Sequence, residues 1–567
     1  MQNKKLFYAV CLGLILCLLA GSALQQRRLD AFRRQQDLVD VAPLKDAPPV
    51  VQFTTIALGG FRGLVADYFW LRSQRMQEEG NYYEMYQLAS WITKLQPRFT
   101  GAISFLAWNM AYNVSVTYQT YEDRWRWVQR GIELLRDEAL VYNPGDPSLY
   151  FQLGWIYQHK MGQEADDANR YYKAQLARTM TRVLGGYPVD WKALAETPEN
   201  LALPAPLSLP RLLDQAGLTE EQLVAQFRDK NHLPDAVENA LQEQPEARKR
   251  LILSLRRQWL YQVYKLDPNA IVALHAKYGE VDWRAPEAHS LYWGAKGSER
   301  AKGGIDLYCN RMVLQSLDAG FKNGWVEVLS GHDAKGRENE QIFWMPNLNV
   351  IDAIDRLAPE YEKNFGSLIA KAMRENFLMN ALQYLYIYGQ PVKAQEYYRK
   401  YNEYRKKCGY PQLTMDIEEL VVILAAGDMD NPDGQKINAL VRGYLRQAWL
   451  SLLFDQDDRA ATMELLARRI LDEYNLAIGK QTSVRRGLPP FQDFRRDTLL
   501  ETYNGLPAEM MSLRGKLIEK RPELEGYVKA EAEARARQQA EEEQRRLEAQ
   551  RKAEREARQA KEKEAAR

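Results

Sequence analysis

The stretch from Asn143 to Tyr157, NPGDPSLYFQLGWIY, constrains this chain more than any other. Pro144 and Pro147 open it, and Tyr150, Leu153, Gly154 and Tyr157 follow at helical spacing. Proline is tolerated in the first turn of a helix and excluded from its interior, so the helix starts near Pro147. Glycine inside a helix costs about 1 kcal/mol relative to alanine. A glycine at 154 therefore predicts a second helix that approaches too closely for a side chain.

A 34-residue frame shows that the stretch is one of a set. With Ala66 as position 1, Phe69 takes position 4, Met76 position 11, Gly80 position 15, Ala89 position 24 and Pro97 position 32. Gly80 falls in the turn between two helices, where it tolerates positive φ. Pro97 falls where the second helix should end. A second unit starts at Thr100 with Ile103, Leu106, Ala107 and Met110, followed by a stretched connection over 113–121. Its second helix runs through Trp125, Val128, Ile132 and Leu135 and closes at Pro144. The third unit starts at Pro147 and has a second helix through Ala168, Tyr171 and Tyr172.

Tyr150-x2-Leu153-Gly154-x2-Tyr157 resembles the first-helix signature of the tetratricopeptide repeat, with Tyr150 in place of tryptophan. The resemblance covers about 66–182 with fair fidelity and about 250–425 loosely. With Glu375 as position 1, Gly389, Ala394 and Tyr398 reproduce the G-x4-A-x3-Y order of the repeat's second-helix core. Arg72 at position 7, Met85 at position 20 and the long insertions depart from the pattern. The resemblance implies an all-α, irregular solenoid of helical hairpins whose first helices line a concave face. It also implies ligand contacts at repeat positions that here include Trp70, Gln74, Trp108, Tyr112, Phe151, Trp155 and His159. Trp108 and Trp155 occupy the same repeat position, giving an aromatic stripe suited to an extended peptide or a partner helix. Burial of the stripe under other helices is the alternative.

Between the repeat blocks, Pro188, Pro198, Pro204, Pro206 and Pro210 exclude a long helix, so 183–246 is expected to be a proline-rich insertion. Within it, Thr219 and Gln222 form a capping box that starts a short helix. Helical periodicity returns with Leu251, Leu255, Leu260 and Val263 and carries a second block over 247–480. The region 320–349 is less regular, an extended loop or a short hairpin. Short helices over 481–528 follow.

The two ends are distinctive. Lys4 and Lys5 precede 19 uncharged residues, Leu6–Leu24. That is the length of a membrane-spanning helix, since a span needs about 20 apolar residues. A signal anchor over 1–28, a linker over 29–60 and a single-pass location in a bacterial inner membrane are the expectation, with the body outside the cytoplasm. Cleavage near Gly21-Ser22-Ala23 is the alternative. Over 529–567, 10 acidic and 12 basic side chains alternate with a single large aliphatic, Leu547. Pairs such as Glu531/Arg535 and Glu533/Arg537 stand at i, i+4 with the acid first, which supports a helix. The segment has no apolar seam for a coiled coil. A charged single helix is expected.

Function classes narrow by subtraction. A net charge of +2 gives no whole-chain case for nucleic acid. Four cysteines are too few for a disulfide framework. The five histidines are dispersed, and there is no CxxC. The Asp428–Gly434 run lacks the ligands of a calcium loop, and Gly331-His332-Asp333 is a lone His-Asp pair. No metal, cofactor or catalytic residue is expected. The leading expectation is a membrane-anchored helical-repeat scaffold that binds protein partners in an envelope, secretion or pilus-like assembly. The alternative is an envelope enzyme whose pocket is built by the insertion and the 320–349 loop. A structural spacer is a third possibility.

Overall fold

The computed structural model describes residues 61–567 apart from short segments at 205–206, 302–306, 333–337, 366–367, 427–433, 480–487, 508–509 and 566–567, together with scattered positions between 13 and 32. Most of the expected span over 6–24, of the linker and of the calcium-like loop lies outside the described residues. So do the side chains of Gly331-His332-Asp333. Among the described residues no helix is long and apolar enough to cross a membrane. Helices make up most of the described chain, as expected of an all-α fold, with one β-hairpin added.

Two compact units divide the chain, Met1–Leu153 and Gly154–Arg567. In the first, the helices Phe61–Glu78 and Tyr82–Leu95 pack as a hairpin. Gly80 turns the chain between them at φ +76°, a conformation that suits glycine. The two departures from the repeat pattern have structural roles. Arg72 donates from Nε to Glu84 Oε1 across the hairpin at 2.8 Å, and Met85 is buried in the core. The first half of the stretched connection is helical. Thr100–Asn109 runs on through a π-helical turn, Met110–Val114, into a short 3-10 turn. Gly131, on the Tyr121–Glu133 helix, faces the Ala107 carbonyl with no room for a side chain. Asn143 Nδ2 donates to the Pro97 carbonyl, tying the two proline-marked ends together.

The second unit continues the plan. Hairpins pair Pro286–Arg300 with Leu307–Asn323, Leu368–Ile387 with Pro391–Lys407, and Gly434–Leu453 with Asp457–Gly479. Gly389 makes the middle turn at φ +72°. The proline-rich insertion folds into short helices, Trp191–Glu196, Leu209–Ala216, Glu220–Lys230 and Asp235–Ala240. The Thr219/Gln222 capping box is formed, and Leu223 and Phe227 bury the helix it starts. Trp283, Tyr172, Tyr292 and Trp449 are among the largest fully buried side chains. Neither Cys309 nor Cys408 is in a disulfide.

The less regular region is an antiparallel β-hairpin, β1 (Trp325–His332) and β2 (Glu338–Met345), with Trp325 opposite Met345. Val326, Val328, Ile342 and Trp344 share one face and pack toward Ala177 and Ala285. Phe343 lies on the other face, edge-on to Phe454 at 5.8 Å. The charged tail is part of a 43-residue helix, Glu523–Ala565, about 65 Å long at 1.5 Å per residue. Its first turn is docked. Leu524 is buried, and Arg495 Nη2 donates to Glu523 Oε1 at 2.7 Å.

Candidate functional site

Three of the predicted groove residues of the first unit, Trp70, Trp108 and Tyr112, belong to an aromatic ladder. Trp70, on the first helix, meets Phe105 at 5.5 Å between ring centroids. Phe105 meets Trp108 at 6.0 Å, and Trp108 stacks on Tyr112 at 5.5 Å with an interplanar angle of 17°. Trp70, Trp108 and Tyr112 are half-buried, while Phe105 is 43% exposed. Phe105 is the member that the repeat positions do not include. Its sequence signal is its place three residues before Trp108, the spacing that stacks side chains along one helix face. Gln74 is exposed one turn beyond Trp70, and Phe151 is half-buried on the Pro147–Trp155 helix.

More apolar surface lies on the same first helix. Phe61, Leu64, Tyr68 and Leu71 are 71, 65, 56 and 67% exposed. Their spacing of three, four and three residues makes one continuous helical stripe. A contiguous exposed apolar stripe marks an interaction surface far more often than scattered single residues do.

In the second unit, Trp155 stacks on His159 at 4.7 Å and 11°. This repeats the Trp108–Tyr112 arrangement at the same repeat positions. Each pair leads into or spans a π-helical turn, Met110–Val114 in one case and Ile156–Met161 in the other. Single π turns inside α-helices are frequent at functional sites; a third lies at Leu134–Ala139. Burial, then neighbouring Lys160, holds the His159 imidazole below its ordinary pKa. Lys160 itself is buried and ion-paired with buried Asp166.

A second candidate site lies wholly within the second unit, beside the hairpin. A cavity of about 470 Å³ is walled by Arg178 and Thr181 on the Asn169–Leu184 helix, by Tyr187 and Pro188, by Arg284, and by β1 and β2 residues including Glu327, Val328 and Glu340. That volume is within the range of small-ligand pockets. Arg284 is 7% exposed and pairs with fully buried Asp282, with its Nη2 donating to Oδ2 at 2.7 Å. The same two side chains serve the β1 backbone. Asp282 Oδ2 accepts from the Val326 N–H at 3.0 Å, and Arg284 Nη2 donates to the Val326 carbonyl. The guanidinium also lies over the Tyr187 ring at 4.0 Å. Burial pushes the Glu327 carboxyl above its usual range, against the pull of the Trp325 N–H and Arg284. On the other side of Trp325 and Glu327 a cavity of about 370 Å³ opens toward Tyr388 and buried Arg459.

Sequence reasoning missed this cavity's charged residues. Its only clue is Asp282-Trp-Arg284, two charges flanking a tryptophan at the head of a segment that is otherwise mostly apolar. Among the described residues the cavity lining has no cysteine, serine or histidine. Among the described residues no group of three or more histidine, cysteine or carboxylate side chains is placed to hold a metal ion. No family model, curated protein or solved structure matches this chain.

Proposed function

We propose that this chain is a helical-repeat scaffold that holds a protein partner, anchored in a membrane by its N-terminal apolar run and working in an envelope, secretion or pilus-like assembly. The carrying observation is the Trp70–Phe105–Trp108–Tyr112 ladder, four rings in sequence on a helical-hairpin unit, left partly open to solvent. Aromatic rings are large, rigid contact surfaces that lose little conformational entropy on binding, which is why they dominate binding hot spots. The exposed stripe on the same helix extends the apolar surface available to a partner.

A photo-crosslinking residue placed at Phe105 tests this in native membranes. The expected result is one discrete protein adduct from Phe105, absent from the exposed control position Gln163 and lost when Trp70→Ala is added. Absence of a discrete adduct, or an unfolded Trp70→Ala protein, overturns the reading. The enzyme alternative has one supporting feature. The 470 Å³ cavity is bounded by Tyr187 and Pro188 of the insertion and by the hairpin, with the carboxylates of Glu327 and Glu340 in its wall. A hydrolase-substrate panel turned over by the native chain and not by Glu327→Gln would favour it; no turnover by the native chain would remove it.

A further inference from the structure

The outer edge of β1 has an unfinished hydrogen-bonding pattern. Opposite residues in an antiparallel pair alternate between hydrogen-bonded and non-hydrogen-bonded pairs. The Val326 N–H and C=O are taken by Asp282 and Arg284, so both point away from β2, and Val326 opposite Trp344 is a non-hydrogen-bonded pair. By alternation Val328, opposite Ile342, also turns its N–H and C=O outward. Those two groups have no hydrogen-bond partner among the described residues. The 470 Å³ cavity has Val326, Glu327 and Val328 of β1 in its wall, together with Glu340 and Ile342 of β2.

A strand added to this edge has a defined end. Asp282 and Arg284 already occupy the edge at Val326, so an added backbone cannot continue past that position. At the blocked end stands Arg284, more than nine-tenths buried and lining the cavity. Its Nε and Nη2 are spent on Asp282 and the Val326 carbonyl, while Nη1 makes no hydrogen bond among the described residues.

We propose that β1 is a docking edge for the C-terminal segment of a partner protein. The segment adds antiparallel to β1, pairs with the Val328 N–H and C=O, and ends with its terminal carboxylate on Arg284 Nη1. Its side chain beside Val328 and Ile342 is apolar, because that face of the hairpin is apolar. Strand addition at a sheet edge and capture of a chain terminus are both recurring modes of peptide recognition. The site is independent of the aromatic ladder in the first unit.

The test uses the full-length chain and a random heptapeptide library displayed with free C-termini. Enriched peptides are then synthesised with a fluorophore at the N-terminus and titrated. Val328→Pro removes the outward N–H without removing a ladder bond, and proline is tolerated at such edge positions. The expected result is clear enrichment, with binding at least tenfold weaker to Val328→Pro. Capping the peptide as a C-terminal amide weakens binding by the same order. N-methylation of alternate peptide amides provides a check that does not depend on any variant folding. Methylating the amides that face β1 abolishes binding, and methylating the others does not. No enrichment over the starting library, equal binding to Val328→Pro, equal binding of the amide, or indifference to the methylation pattern each overturns the proposal.

Discussion

Single residues show most directly what the sequence encodes. Gly154 was legible as a close-contact position, and a Cβ there would land on Met312 Sδ and lie 3.4 Å from the Ser290 carbonyl. The surface that presses on it comes from the 286–300 and 307–323 helices, far along the chain, which no local pattern reveals. Overpacking costs about 1–3 kcal/mol and helix propensity returns about 1 kcal/mol, so Gly154→Ala is expected to destabilise the second unit by about 0–2 kcal/mol, less where the Met312 side chain moves aside. Gly145→Ala, with open space around it, is expected to have little effect. Urea denaturation followed by far-UV circular dichroism separates the two. Glu287 makes a pH-dependent prediction. It is completely buried, its Oε2 has no hydrogen-bond partner among the described residues, and burial raises its pKa to about 7 against the pull of Lys173. A raised carboxyl pKa means that the folded state holds the proton more tightly, so stability falls as pH rises from about 4.5 to 7. Glu287→Gln should remove that loss, worth about 3 kcal/mol above pH 7 and nothing near pH 4.5. Equal melting temperatures for wild type and variant at pH 8 would refute it. His275 acts in the opposite direction. Burial lowers its pKa to about 4, and its Nε2 accepts from Trp283 Nε1 at 2.9 Å. The stability it contributes is full above about pH 6.5 and is lost as pH falls toward 4.

At the level of elements, the helical hairpins follow from punctuation that can be read locally. Gly80 and Gly389 take positive φ where the frame places turns, and Thr219 caps its helix as its spacing with Gln222 predicts. The charged tail follows the same logic, with Arg535 Nη2 on Glu531 at 2.6 Å and Arg537 Nη2 on Glu533 at 3.8 Å. Exposed pairs of this kind add only a few tenths of a kcal/mol, so the outer part of the helix contributes little to the body. Truncation after Arg537 should leave the melting temperature within about 1 °C. Truncation before Glu523 should lower it clearly, because Leu524 and the Arg495–Glu523 pair are lost. A calorimetric scan of the two truncations decides. The β-hairpin was only half legible. Alternation in WVEVL suggests a strand, but its pairing and outer edge depend on Asp282 and Arg284, about forty residues earlier.

Across the whole molecule, buried charge is what local patterns could not place. Lys160 and Asp166 are both nearly inaccessible and paired with each other. Read from sequence, each is an ordinary surface residue in a polar stretch. Removing one partner leaves an unpaired charge in the interior, so Asp166→Asn is expected to cost about 3–5 kcal/mol. The double change Lys160→Met with Asp166→Asn removes both charges and keeps an oxygen to accept from the Ala168 N–H, so it should recover most of that cost, and chemical denaturation of the three proteins tests the pair. Sequence by itself determined the class of this protein. Proline and glycine positions, apolar spacing and the charged tail act over a few residues, and they were enough for an all-α chain of helical hairpins with an aromatic stripe in its first repeats. Tertiary structure alone decided which helices press on Gly154, which charges are buried, and that Phe105 joins Trp70 to Trp108. It also built the cavity beside β1. Those outcomes depend on contacts between residues tens to more than a hundred positions apart, and spacing along the chain carries no record of them.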